Sequence, residues 1–95
     1  MPLLSDEQIA RELDGVPDWT RDGDAITLTA ELDTFPAAVA FVNRVAEAAE
    51  EADHHPDIDI RYRKVRLELS THSAGGLTEK DFALARRIDG LLVDA

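Results

Sequence analysis

Residues 58–70 read IDIRYRKVRLELS, and the parity of their apolar positions decides the architecture. Ile58, Ile60 and Tyr62 alternate with polar residues, as a half-buried strand requires when successive side chains point to opposite faces. Val65, Leu67 and Leu69 continue the alternation with the opposite parity. One strand cannot change faces midway, so the chain must reverse between the two sets. A two-residue turn at Arg63 and Lys64 accounts for the change and makes the stretch an antiparallel hairpin.

Upstream, AITLTAEL at 25–32 alternates in the same way, and the turn signal DGD at 22–24 joins it to the short extended run DWTR at 18–21. A second hairpin follows from these two runs. Between the hairpins, Asp33 or Thr34 can cap a helix with Pro36 in its first turn. Phe35, Val39, Val42, Ala46 and Ala49 trace its apolar face, which Phe41 and Val45 widen, and the helix ends near Ala52. Ser5 with Gln8 reads as a capping box for a first helix over 6–13, carrying Ile9, Ala10 and Leu13 and broken by Pro17. Thr78 with Asp81 resembles another box, opening a last helix faced by Phe82, Ala85, Ile88 and Leu91 or Leu92. The order α-β-β-α-β-β-α predicts a two-layer α+β domain over residues 1–95, a four-stranded antiparallel sheet with three helices on one face.

Composition narrows the function. Twenty acidic against ten basic residues give a net charge of −10, which repels phosphate backbones and argues against nucleic acid as a partner. The basic cluster Arg61, Arg63, Lys64 and Arg66 alternates with apolar residues, as the solvated edge of a hairpin does. No window is apolar enough to span a bilayer, and the absence of cysteine removes disulfides and thiolate metal sites. The opening MPLLSDEQIARELDG has neither a basic leader nor a long apolar run, so a cytoplasmic protein without membrane association is expected. Five aromatics in 95 residues make a small core, to which self-association would add burial.

The chemistry-bearing residues collect around EEADHHP at 50–56. Pro56 discourages helical angles at His55, so His54 and His55 lie at a helix-to-strand junction, and the hairpin that follows returns the chain toward them with His72. Adjacent residues in extended chain point to opposite sides, so the two histidines need not share a role. Imidazole both gives and takes protons near neutrality, which suggests general acid–base chemistry. A metal held by the three histidines with Asp53 or Asp81 is the alternative, but the doublet lacks the one-face spacing of a helical ligand pair. The bland reading makes them polar junction residues and Asp81 the third residue of a capped helix.

Glu50, three spacers, His54-His55-Pro56, the aromatic Tyr62, nine spacers, His72 and then Asp81, with STH at 70–72 and GGLTEKD at 75–81, form one pattern. In these motifs, and from the first helix through GGLTEKDFALARRID, the chain resembles the pterin-4a-carbinolamine dehydratase family. The resemblance implies removal of water from a 4a-hydroxytetrahydropterin to give the quinonoid dihydropterin in tetrahydrobiopterin recycling, with no cofactor and no metal. It implies His54 and His72 as acid–base residues and His55 as a residue that binds and orients the substrate. Glu50 and Asp53 would orient a ring nitrogen or accept from the pterin's donor-rich edge, Pro56 would set the chain's exit, and Ser70 and Thr71 would offer main-chain groups. Asp81 would serve the site, the helix terminus or both. A homodimer or homotetramer is implied as well. The family's alternative is a non-catalytic member used as an assembly or transcriptional partner. One departure stands at the hairpin turn, where many relatives have Tyr-Asn-Lys-Val and this chain has YRKV at 62–65; Arg in place of an Asn that tolerates left-handed angles costs about 1 kcal/mol.

Overall fold

The computed structural model describes residues 2–95. The chain runs α1 (Asp6–Asp14), β1 (Thr20–Asp22), β2 (Ala25–Glu31), α2 (Phe35–Ala52), β3 (Asp57–Arg61), β4 (Lys64–Leu69), a short 3-10 helix at His72–Ala74 and α3 (Glu79–Val93). The four strands form one antiparallel sheet in the order β1-β2-β4-β3, so α2 carries the chain from β2 across to the far edge. The second hairpin then returns β4 against β2, pairing Ile26 with Leu69 and Ala30 with Val65. Both expected capping boxes are present, at Ser5 with Gln8 and at Thr78 with Asp81, and Thr34 rather than Asp33 caps α2.

Three expectations are corrected. The hairpin turn lies at Tyr62 and Arg63 rather than at Arg63 and Lys64, because Lys64 is in the ladder, opposite Arg61 on one side and Glu31 on the other. Shifting the register by two keeps every apolar residue on the same face, so alternation alone could not separate the two turns. Tyr62 takes the left-handed angle, φ 55°, and Arg63 anchors instead. Its carbonyl accepts from the Leu32 N–H at 2.9 Å, and its guanidinium pairs with Glu31 at 2.9 Å.

The second correction concerns α2, whose core stripe is Ala38, Phe41, Val45, Ala48 and Ala49. Val39 and Val42 are only half-buried, and Phe35 and Ala46 are exposed. Two apolar stripes lie side by side on this helix, and the one with small Ala38 and Ala48 permits the closer approach to the sheet and α3. The third is β3, exposed along its whole length. Ile58 and Ile60 lie on the helix side of the sheet, opposite Leu67 and Val65, yet remain 39% and 38% exposed because the helix layer stops over β4.

Ile26, Leu28, Val65, Leu67 and Leu69 from the sheet meet Phe41, Val45, Phe82, Ala85 and Ile88 from the helices in one core. Truncating Phe41 or Phe82, both fully buried, to Ala would cost about 3–5 kcal/mol. Trp19, buried just before β1, donates its indole N–H to Asp89 Oδ1 on α3 at 2.8 Å and so ties the sheet's outer edge to the helices. The open face of the sheet is charged along the strands. Arg61, Lys64 and Arg66 gather toward the turn, and Asp57 and Glu68 lie toward the other end.

Burial pushes the Asp89 carboxyl above its usual range; the Trp19 hydrogen bond offsets part of this and the nearby Asp18 charge adds to it. The folded chain then holds a proton where the unfolded chain has released it. This group's contribution therefore improves as pH falls through the folded value toward the unfolded one near 3.8, and is unfavourable at neutral pH. Asn at 89 still accepts from Trp19 but carries no charge. Urea unfolding of Asp89→Asn at pH 7 should show stability equal to or above the parent's, with the advantage shrinking as the solution is made acidic.

Candidate active site

The way α2 ends places the histidines. Asp53 takes left-handed angles, φ 49° and ψ 45°, its N–H bonds to the Glu50 carbonyl at 3.2 Å and the His54 N–H to the Ala49 carbonyl at 3.0 Å. This pair of bonds closes the helix and turns the chain inward at once, a conformation that usually calls for Gly and that Asp tolerates. His54 enters the interior, 8% exposed, while His55 points the other way into solvent. Half-buried Pro56 leads into β3.

The two rings meet different carboxylates. His54 Nε2 lies 2.6 Å from Asp81 Oδ1, and His55 Nε2 lies 2.7 Å from Glu50 Oε1 at the surface. Asp81, at the third position of α3, is wholly buried. Its second oxygen receives the Thr78 backbone N–H at 2.9 Å and the Thr71 hydroxyl at 2.8 Å. Thr71 and Thr78 are themselves 2.8 Å apart through their hydroxyl oxygens. The carboxylate therefore serves the helix N-terminus and His54 at the same time. Among the described residues, no buried side-chain nitrogen or oxygen lacks a partner.

The Thr71 main chain and the Ser70 hydroxyl bond within the protein. The Thr71 N–H bonds to the Gly76 carbonyl, and the Thr71 carbonyl accepts from Ala74 and Gly75, leaving its main chain committed to the loop. The Ser70 hydroxyl donates to the Asp24 carbonyl at 2.7 Å, joining the end of β4 to the first hairpin turn. His72 opens the 3-10 helix, exposed, and Gly75 closes that helix with φ 79°, an angle that a side chain resists. His72 follows directly on Thr71, so its backbone is set by the same loop that holds Asp81.

His54 also lines a hollow of about 230 Å³ with Ala52, Lys80, Ala83, Leu84 and Arg87. A larger hollow, about 470 Å³, lies at the opposite end of β2 near Glu31, Asp33 and Ala37 and contains no histidine. The smaller hollow is the one lined by a member of the buried histidine–carboxylate pair. Among the described residues, no group of three or more His, Asp or Glu side chains is placed to hold a metal ion. No helix among them is long and apolar enough to cross a membrane. Thr78 was legible only as a cap; its place in the histidine network depends on how β4 meets α3, which no local spacing encodes.

An imidazole backed by a buried, fully bonded carboxylate, set at one end of a two-layer α+β sheet, defines a domain equipped to move protons. The chain belongs to the pterin 4 alpha carbinolamine dehydratase family, whose model matches residues 2–91. It is 66% identical over 89 residues, 94% of each chain, to a Nocardia farcinica protein named "Putative pterin-4-alpha-carbinolamine dehydratase". A Chloroflexus aurantiacus protein of the same name is 59% identical over 92 residues, covering 97% of this chain and 99% of that one. Among solved structures, the fold matches the Brucella melitensis transcriptional coactivator/pterin dehydratase with a TM-score of 0.91 and 30% identity, covering 95% of this chain and 98% of the other. A pterin dehydratase-like protein identified as a RuBisCO assembly factor in the alpha-carboxysome matches with a TM-score of 0.64 at 23% identity, over 78% of this chain and 86% of that one, a likeness of fold alone.

The left-handed cap gives a direct test. Asp53→Gly should keep or raise the unfolding midpoint, whereas Asp53→Ala should lower stability by about 1 kcal/mol, because Ala must adopt the same angles without a short polar side chain. Equal stability of the two variants would show that the cap is not under this constraint.

Proposed function

We propose that the protein is a 4a-hydroxytetrahydropterin dehydratase. The reaction expels the hydroxyl from carbon 4a as water and removes the proton from nitrogen 5, forming the carbon–nitrogen double bond of the quinonoid dihydropterin. One proton is delivered to the leaving oxygen and one is taken from nitrogen, so the step balances without oxidant, reductant or metal. The observation that carries this reading is the buried His54–Asp81 pair at 2.6 Å, on a chain that belongs to the dehydratase family.

In this reading, His54 and His72 exchange the protons, and exposed His55, steadied by Glu50, binds and orients the pterin. Asp53 shapes the turn that delivers His54, and Pro56 fixes the direction in which the chain leaves it. An assembly or regulatory role draws support from the coactivator description of the Brucella relative. The full histidine set favours catalysis, since Asp81 has a structural use as the cap of α3 whereas three histidines at the same end of the sheet suit proton transfer.

A spectrophotometric dehydration assay with freshly generated 4a-hydroxytetrahydropterin tests the proposal, with acceleration over the spontaneous rate expected and expected to survive chelation. His54→Ala or His72→Ala should each lower turnover by roughly 10²-fold or more, as the loss of a general acid or base does, while His55→Ala should mainly raise KM. Wild-type rates in both single variants would refute the acid–base assignment.

Self-association is part of the same proposal. Phe35 and Ala46 are exposed and Val39 only half-buried on α2, and Ile58 and Ile60 of β3 with Tyr62 of the turn are exposed at an open edge. Sedimentation at micromolar concentration should therefore show a dimer or tetramer, and a strictly monomeric species would count against it.

A further inference from the structure

The polar contacts around Asp81 Oδ2 close in only one direction, and that direction makes this oxygen an acceptor. Thr78 Oγ1 accepts the Lys80 backbone N–H at 3.3 Å and lies 2.8 Å from Thr71 Oγ1, which in turn lies 2.8 Å from Asp81 Oδ2. Each hydroxyl has a single proton to give. If Asp81 carried a proton on Oδ2 and donated to Thr71, then Thr71 would donate to Thr78, and the Thr78 proton would be buried without an acceptor. Thr78 is fully buried, so that arrangement carries the whole cost of an unmade hydrogen bond. The reverse order closes completely: Thr78 donates to Thr71, Thr71 donates to Oδ2, and the Thr78 N–H donates to the same oxygen.

We propose that the Thr71–Thr78 hydroxyl pair is a positioning device that keeps Asp81 Oδ2 an acceptor, favours the ionised carboxylate and so holds neutral His54 in the Nε2–H tautomer, leaving Nδ1 as the atom that gives and takes the catalytic proton. One proton lies in the 2.6 Å contact between Nε2 and Oδ1; two donors on Oδ2 stabilise the carboxylate, so the proton stays on nitrogen and is donated to Oδ1 through the cycle. Among the described residues Nδ1 has no hydrogen-bond partner and is not sealed from solvent, as a proton-transferring atom requires. Thr71 thereby becomes a positioning residue whose hydroxyl acts through Asp81 and His54. This rests on the dehydratase reading only where it speaks of catalysis, since the tautomer is a property of the protein without ligand.

The decisive variant is Asp81→Asn. Two donors, the Thr71 hydroxyl and the Thr78 N–H, pin the amide oxygen to the Oδ2 side, so the NH₂ must face His54 Nε2 and force the ring proton onto Nδ1, the wrong-tautomer effect known when a triad Asp is replaced by Asn. The cap to Thr78 survives, so the fold is kept. Nitrogen-15 NMR of the labelled protein, at a pH where the ring is neutral, should show a protonated Nε2 and bare Nδ1 for His54 in wild type, and the reverse in Asp81→Asn. Thr71→Ser should retain the wild-type pattern, and Thr71→Val should mix the two tautomers. Turnover should fall roughly 10²-fold or more in Asp81→Asn with little change in KM. A wild-type ring protonated on Nδ1, or an Asp81→Asn ring still protonated on Nε2, overturns the proposal. If the tautomers are as expected and no variant, nor the parent, accelerates dehydration, it is the dehydratase reading that fails.

Discussion

A carboxylate with no exposure to water must find all its donors inside the protein, and Asp81 draws them from three separate parts of the chain. His54 comes from the exit of α2, Thr71 from the end of β4, and the Thr78 N–H from the start of α3. Because an unpaired buried charge costs several kcal/mol, the three segments cannot drift apart independently. The site end of the domain is therefore cross-braced by polar contacts where the rest relies on the apolar layer between sheet and helices. Site geometry and local stability are the same set of bonds.

That bracing also explains how the adjacent histidines come to differ. Asp53 reverses the chain at the helix end and sends the next residue inward, and extended geometry before Pro56 sends the one after it outward. One imidazole is thus fixed by a buried partner and largely withdrawn from solvent, while the other pairs with Glu50 at the surface. The pair resolves into a positioned group and an accessible group without any loop having to close over them.

Much of this was legible in the sequence because the signals were local. Both capping boxes, both hairpins and the helix break before Pro56 depend on residues a few positions apart, and periodicity placed each element. What could not be read were choices between equivalent alternatives. Two turn positions in 58–70 put the same apolar residues on the same face, and only pairing with Glu31 on β2 selects the one at Tyr62 and Arg63. Two apolar stripes share α2, and only close packing selects the one containing Ala38 and Ala48. At the site, Glu50, His54, His55 and Asp81 could be named from their pattern, but the joining of Thr71 to Thr78 is a tertiary fact set by how β4 abuts α3.

The His54–Asp81 contact carries a consequence for how such a domain changes over evolutionary time. Asp81 also caps α3 and takes the Thr71 hydroxyl, so an apolar residue in its place would strand two buried donors, each at about 1–3 kcal/mol. Replacing His54 removes one donor and leaves Asp81 held by the other two. The two positions are therefore unequally constrained, the carboxylate by the fold itself and the imidazole by its single partner. A lineage released from the need to move protons should lose the histidine first and keep the carboxylate, and a chain with the histidine but no carboxylate should be rare.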